Sequence, residues 1–186
     1  MTAAAVTGLE REAERWIEPH WNAIHLLRTR DWLLRLDPDA SLALRIAALV
    51  HDCERMFPGG RAVDPTIPHD DEEYLREHSQ RSARFAAEWL RDHGADESLV
   101  AEVEELVSLH ETGGTADADL LQAADSLSFL DVNTALVLGW IADGRANLEQ
   151  ARAKLDYTLE RIRLPEAREL AVPLYERAVA QLERGV

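Results

Sequence analysis

The chain has 186 residues, enough for one domain with a sizeable core. Hydrophobic residues make up 46% and charged residues 30%, which is typical of a soluble globular protein, and no apolar stretch approaches the roughly 20 residues that span a bilayer. The formal net charge of −15 argues against nucleic-acid polymers and anionic membranes as partners. Because the start lacks the basic region of a signal peptide, we expect a cytoplasmic protein.

Apolar residues recur at helical spacing along the chain, and no alternating β-branched run or hairpin dipeptide predicts a strand. Proline and glycine residues separate the segments. In chain order we expect helices over residues 10–17, 21–36, 41–57, 70–93, 96–110, 117–142, 147–162 and 165–184. The sequence therefore predicts an all-α, single-domain helical bundle of about seven to eight helices, in which residues 146–186 form a C-terminal helical pair packed on the rest.

One connection in this pattern is unusually long. Residues 58–68 contain five proline or glycine residues and no apolar period, and loops of that length are uncommon unless they are functional. The dipeptide His69-Asp70 follows Pro68 in the same loop. We expect Asp70 to cap the next helix and His69 to be a loop residue within reach of a substrate.

A second His-Asp dipeptide, His51-Asp52, ends the apolar run 42–50. A carboxylate and an imidazole at the end of a buried segment need a partner to offset their lost hydration, and a divalent cation is an effective one. Further candidate ligands lie in or at the end of other predicted helices: His25, His78, His110 and Asp125. Helical bundles commonly build metal sites from side chains that point inward in this way. The neighbours of His78 are polar, so solvent exposure is the alternative for that residue.

The order His, His-Asp, His, His, Asp resembles the HD superfamily of metal-dependent phosphohydrolases. The resemblance covers residues 20–142, which would form an HD core with the metal site. It implies a dinuclear centre of two divalent ions with six ligands: His25, His51 and Asp125 on one ion, His78 and His110 on the other, and Asp52 on both. Imidazole and carboxylate ligands suit iron, manganese, cobalt or nickel.

Several arginines near these ligands are candidates for binding an anionic substrate. Arg55 lies three residues after Asp52, where some members of the superfamily carry a basic group near the phosphate, so Asp52 and Arg55 are the predicted catalytic residues. Arg28 and Arg81 each follow a candidate histidine by three residues and share its helix face. For each arginine, an ion pair with one of the many acids is the competing expectation.

Lys154 is the only lysine in the chain and a further candidate for substrate binding. It lies seven residues before Arg161, so the two share a helix face. They would reach the metal site only if that helix folds back over it, and exposure to solvent is the alternative.

The resemblance implies hydrolysis of a phosphate ester or anhydride in a small phosphorylated metabolite or nucleotide. The same ligand order also resembles the mixed-valent di-iron oxygenases of the HD superfamily. A third possibility is a module that binds a nucleotide or phosphate without turnover. A homodimer formed through the last two helices also stays open.

Overall fold

The computed structural model of the protein describes residues 8–60 and 63–184, and within these ranges it contains helices and no strands. The α-helices are α1 (Gly8–Ile17), α2 (Ala23–Leu36), α3 (Leu42–Val50), α4 (Glu72–Asp92), α5 (Glu97–Leu109), α6 (Ala116–Val132), α7 (Thr134–Ala142), α8 (Leu148–Glu160) and α9 (Pro165–Arg184), with a short 3-10 helix at Cys53–Met56. In this part of the chain, no helix combines the length and the apolar character needed to cross a membrane. The expected all-α bundle is confirmed.

Polar side chains fix where several helices begin. The Ser41 hydroxyl accepts a hydrogen bond from the Leu44 N–H at 3.1 Å at the start of α3. Asn147 and Gln150 form a reciprocal capping box at the start of α8. At α4 the cap is Asp71, whose side chain accepts from the Tyr74 N–H, so the prediction that Asp70 caps this helix was wrong.

The third predicted helix is shorter than expected. α3 ends at Val50, and Asp52 leaves the helical path with φ −100° and ψ 11° before the 3-10 helix begins. A continuous helix to Phe57 was therefore a wrong prediction. Aspartate is a poor helix former because its carboxylate competes for nearby backbone groups. The turn matters for the site because it separates the directions of the adjacent His51 and Asp52 side chains.

The predicted helix over 117–142 is two helices, α6 and α7, which meet at Asn133. Asn133 has φ −96° and ψ 7°, outside the helical region, and its N–H closes α6 by donating to the Phe129 carbonyl at 2.9 Å. Asparagine is disfavoured inside helices and favoured at their ends. This break gives nine α-helices among the described residues, where seven to eight were expected.

The packing of α3 places its end in the middle of the bundle. Every residue of α3 from Ala43 to Val50 except Arg45 is buried, and the helix packs against α1, α2, α5 and α6. α2 packs on α6 and α4 packs on α5, while α8 and α9 pack on each other and on α6. The largest fully buried side chains include Leu26, Leu33, Ile46, Leu49, Leu90, Leu121, Leu127, Leu130, Leu155 and Leu182.

Candidate metal centre

The six candidate ligands come together at the centre of the bundle in two groups of three. We call His25, His51 and Asp125 the first triad and Asp52, His78 and His110 the second triad. In each triad, one donor atom from each residue lies within 4.8 Å of the others. The four imidazoles are buried, including that of His78, for which solvent exposure was the alternative.

The two triads form one continuous cluster. The ring centroid of His51 lies 5.3 Å from that of His25 and 5.1 Å from that of His110, and His110 lies 5.2 Å from His78. The turn after α3 sends His51 to the first triad and its neighbour Asp52 to the second. The dipeptide is thus the point at which the two triads join.

Two of the histidines are oriented by the helices that they terminate. His51 Nδ1 lies 3.0 Å from the Ala48 carbonyl oxygen, and His110 Nδ1 lies 2.7 Å from that of Val107. These carbonyls belong to the last turns of α3 and α5, where backbone acceptors lack partners within the helix. A carbonyl can only accept, so each Nδ1 carries the proton and the Nε2 lone pair is left for another ligand.

The other two histidines are oriented by side chains. His78 Nδ1 lies 3.0 Å from Glu54 Oε1, and His25 Nδ1 lies 2.9 Å from the Ser128 hydroxyl. The Ser128 hydroxyl also donates to the His25 carbonyl at 2.8 Å, so its single hydrogen is used and it must accept from His25 Nδ1–H. All four rings therefore have Nδ1 engaged, the arrangement typical of histidines that bind a metal through Nε2.

The surroundings of the four Nε2 atoms show whether a cation fits between the ligands. Within the described part of the chain, the buried Nε2 atoms of His51, His78 and His110 make no hydrogen bond. His78 Nε2 nevertheless lies 2.9 Å from Asp52 Oδ1, and His25 Nε2 lies 3.0 Å from Asp125 Oδ1. A nitrogen lone pair that faces a carboxylate oxygen at this distance is repelled unless a proton or a cation lies between them. The donor set therefore fits divalent cations.

Both aspartates are ionised and available to a cation. Burial by itself would raise the pKa of Asp52, but the Arg55 charge and the contact with His78 outweigh it and hold the pKa well below its usual range. Burial acts in the same direction on Asp125, where Arg161 and His51 outweigh it and again hold the pKa well below its usual range.

The histidines show where positive charge is favoured. Burial lowers the pKa of His51, yet the nearby Asp125 carboxylate more than compensates and raises it to about 9. Burial dominates at His110 and lowers its pKa to about 4. Positive charge is therefore favoured at His51, beside the Asp125 carboxylate.

The cluster opens on a cavity of about 90 Å³. His25, Asp52 and Asp125 line its floor together with three cationic side chains: Arg55, Lys154 and Arg161. Residues of the 63–69 segment cover one side, including His69, which the sequence placed near a substrate. Apolar residues outside that segment also line the wall: Trp21, Leu75, Phe129, Leu136 and Trp140.

Two of the four predicted substrate-binding residues line this cavity. Arg55 Nε lies 3.3 Å from Asp52 Oδ1, and its Nη1 lies 3.4 Å from the Tyr74 hydroxyl. The Lys154 ammonium lies 4.9 Å from the ring centroid of Phe129. α8 does fold back over the centre, so the condition that the sequence set for Lys154 and Arg161 is met.

The other two predicted substrate-binding residues, Arg28 and Arg81, do not line the cavity. Arg28 pairs with Asp131 at 3.4 Å and is 46% exposed. Arg81 pairs with Glu54 at 3.1 Å and donates to the Pro58 carbonyl at 2.6 Å, on the far side of His78. Both arginines therefore form ion pairs with acidic residues, which was the competing expectation from the sequence.

Sequence reasoning missed the residues that orient the ligands. The Asn22 amide donates to Asp52 Oδ2 at 2.8 Å, and Glu54 and Ser128 hold two of the histidines. Arg161, which the sequence offered only as a possible neighbour of the substrate, donates to both Asp125 and Glu111. Glu111 directly follows the predicted ligand His110, and Glu54 lies two residues after Asp52; this proximity was the available signal. Ser128 reaches the site through the packing of α2 on α6, and Asn22 through the packing of α2 on α3. No local pattern reveals either contact.

The fold and the site together define an all-helical protein with a buried histidine and aspartate cluster that could hold metal ions. The chain belongs to the family DUF4202, a domain of unknown function, whose family model matches residues 11–182. Comparison with curated proteins and with solved structures found no match.

Proposed function

We propose that the protein is a metal-dependent phosphohydrolase that acts on a small phosphorylated metabolite or nucleotide. The observation that carries the proposal is the common orientation of the four imidazoles, each with Nδ1 engaged and Nε2 directed at a carboxylate, beside a cavity with cationic side chains. The ligand order, which resembles that of the HD superfamily, supports the same function. The first triad would hold one ion and the second triad the other.

Two bound divalent ions would supply Lewis acidity toward phosphoryl oxygens and lower the pKa of an attacking water molecule. The resemblance to the HD superfamily implies that Asp52 would contact both ions. Its carboxylate belongs to the second triad. Its carboxylate is held from two sides, by the Asn22 amide and by Arg55. This support fixes the carboxylate before any substrate arrives.

Arg55 and Lys154 are the cations that would bind the phosphate. Arg161 is not a candidate for this role, because its Nε and both amino groups already donate to Ser126, Glu111 and Asp125. The Lys154 ammonium, by contrast, contacts the faces of Phe129 and Tyr157, which leaves its hydrogen-bond donors for a ligand. The apolar residues of the cavity wall, such as Trp21, Leu136 and Trp140, would receive the organic part of the substrate. A net charge of −15 favours such small substrates over polynucleotides.

The test is a phosphatase assay on the protein reconstituted separately with iron, manganese, cobalt and nickel, using mono-, di- and dinucleotide phosphates and sugar phosphates. We expect release of phosphate or a nucleoside monophosphate with at least one metal, and loss of that activity in Asp52→Asn. Asp92→Asn is the matched control, because Asp92 is exposed at the end of α4 and does not line the cavity.

A metal-loaded protein that cleaves nothing in the panel would contradict the proposal. Oxygen uptake by the ferrous protein with polyols or phosphonates, without phosphate hydrolysis, would instead identify an oxygenase. A nucleotide that co-purifies intact with an inactive, metal-loaded protein would identify a binding module.

A further inference from the structure

Glu111 directly follows the second-triad ligand His110 and turns its carboxylate into the centre. Glu111 Oε1 lies 3.7 Å from His110 Nε2 and 3.9 Å from His78 Nε2. Both Nε2 atoms are buried and make no hydrogen bond within the described residues. The carboxylate therefore faces the two nitrogens that the second triad offers to a cation.

These distances suit ligands of one ion. Nitrogen and oxygen ligands bind transition metals at about 2.0–2.2 Å, so two ligands of the same ion lie roughly 2.8–4.4 Å apart. The separations of Glu111 Oε1 from His78 and His110 lie inside that range. They are too long for hydrogen bonds, so a direct contact with the histidines does not explain the orientation.

Arg161 holds Glu111 as it holds the aspartate of the first triad. One amino group of the guanidinium donates to Asp125 Oδ2 and the other donates to Glu111 Oε2. In each carboxylate, the second oxygen is then directed at a pair of histidines: Asp125 Oδ1 at His25 and His51, and Glu111 Oε1 at His78 and His110. Glu111 therefore has the same position relative to the histidines of the second triad as Asp125 has relative to those of the first.

We propose that Glu111 is a seventh ligand of the centre, which binds the second ion together with Asp52, His78 and His110. Each ion then has two imidazoles and a terminal carboxylate, and Asp52 is free to act as the shared ligand. Arg161 is the positioning residue that sets the distance between the two terminal carboxylates. This inference rests on the metal centre of the proposed function.

The test is calorimetric titration of the metal-free protein with Mn²⁺. Glu111→Gln keeps the size of the side chain and can still accept from Arg161, but it loses the anionic oxygen. We expect one binding event to keep its wild-type affinity and the other to weaken by about 10- to 100-fold. The weakened event should be the one that His78→Ala removes. Glu105→Gln, the same change on the exposed face of α5, should bind both ions as the wild type does.

Two further measurements separate a ligand from a structural role. Glu111→Asp restores the charge at a shorter reach, so its affinity for the second ion should fall between those of Glu111→Gln and the wild type. The electron paramagnetic resonance spectrum of the Mn²⁺-loaded protein should change in Glu111→Gln. If Glu111→Gln folds and binds both ions with wild-type affinity and spectrum, the inference is wrong, while the proposed function stands. If the wild type binds no ion, both this inference and the proposed function are wrong.

Discussion

The hydroxyl of Ser128 lies 2.9 Å from His25 Nδ1 and 2.8 Å from the carbonyl oxygen of the same histidine. The serine therefore fixes the tautomer and the ring orientation together. Ser128 lies three residues after Asp125 on α6, so one helix supplies a ligand of the first triad and also the group that orients its neighbour.

Ser128→Ala should lower the affinity of the first triad for its ion by about 10- to 100-fold, because His25 loses the acceptor that holds its Nε2 toward Asp125. Titration with Mn²⁺ measures the effect. Ser79→Ala is the matched control, since the Ser79 hydroxyl is buried and makes no hydrogen bond in the part of the chain that the structure describes. Equal affinities in Ser128→Ala and the wild type would show that this hydrogen bond does not position His25.

Gly60→Ala should lower the affinity of the second triad for its ion. A Cβ at Gly60 would lie 2.2 Å from Glu54 Oε2, and Glu54 is held by both His78 and Arg81, so it cannot move without losing one of these contacts. We expect a several-fold loss of affinity, at the lower end of what the removal of an orienting partner costs.

Gly139→Ala is the control for this change, because a Cβ there meets nothing within 4 Å. It should leave metal binding unchanged. Unaltered binding in a folded Gly60→Ala protein would mean that Glu54 does not orient His78.

Much of the site could be predicted from the sequence, because each of the six candidate ligands lies in or directly after a predicted helix, and inward-facing positions of a bundle meet at its centre. The break at Asn133 was predictable in principle from the low helix propensity of asparagine. The contacts of Arg161 were not predictable. They depend on α8 folding back over α6, which is tertiary packing between segments distant in the chain.

Lys154→Gln should raise KM for a phosphate substrate by about 10- to 100-fold with a smaller effect on kcat, because a charge-assisted hydrogen bond contributes about 1.5–3 kcal/mol. Steady-state kinetics on the best substrate of the panel measures both constants. Lys154→Arg retains the charge and should recover part of the loss.

The single lysine offers a second readout of the same claim. Amine-selective acylation should modify Lys154, and inorganic phosphate should slow that reaction in the metal-loaded protein. Kinetic constants and labelling rates that do not respond to the substitution or to phosphate would place Lys154 outside the substrate site.

Metal binding should also stabilise the fold, because the ligands come from five different helical segments that must be in place together. An ion at 100 times its dissociation constant adds about 2.7 kcal/mol to the free energy of unfolding. For a chain of this length the corresponding rise in Tm is about 5–10 °C. Thermal unfolding with Mn²⁺ and then with a chelator measures the shift, which should disappear in Asp52→Asn and persist in Asp92→Asn. An identical Tm with and without metal would contradict the assignment.

We propose that the two triads hold two ions and that Asp52 binds both. Elemental analysis after reconstitution and removal of free metal tests it most directly, with the wild type and Asp52→Asn side by side. We expect two ions per wild-type chain and loss of both from the variant. One ion or none in the wild type, or two ions retained by Asp52→Asn, would contradict it.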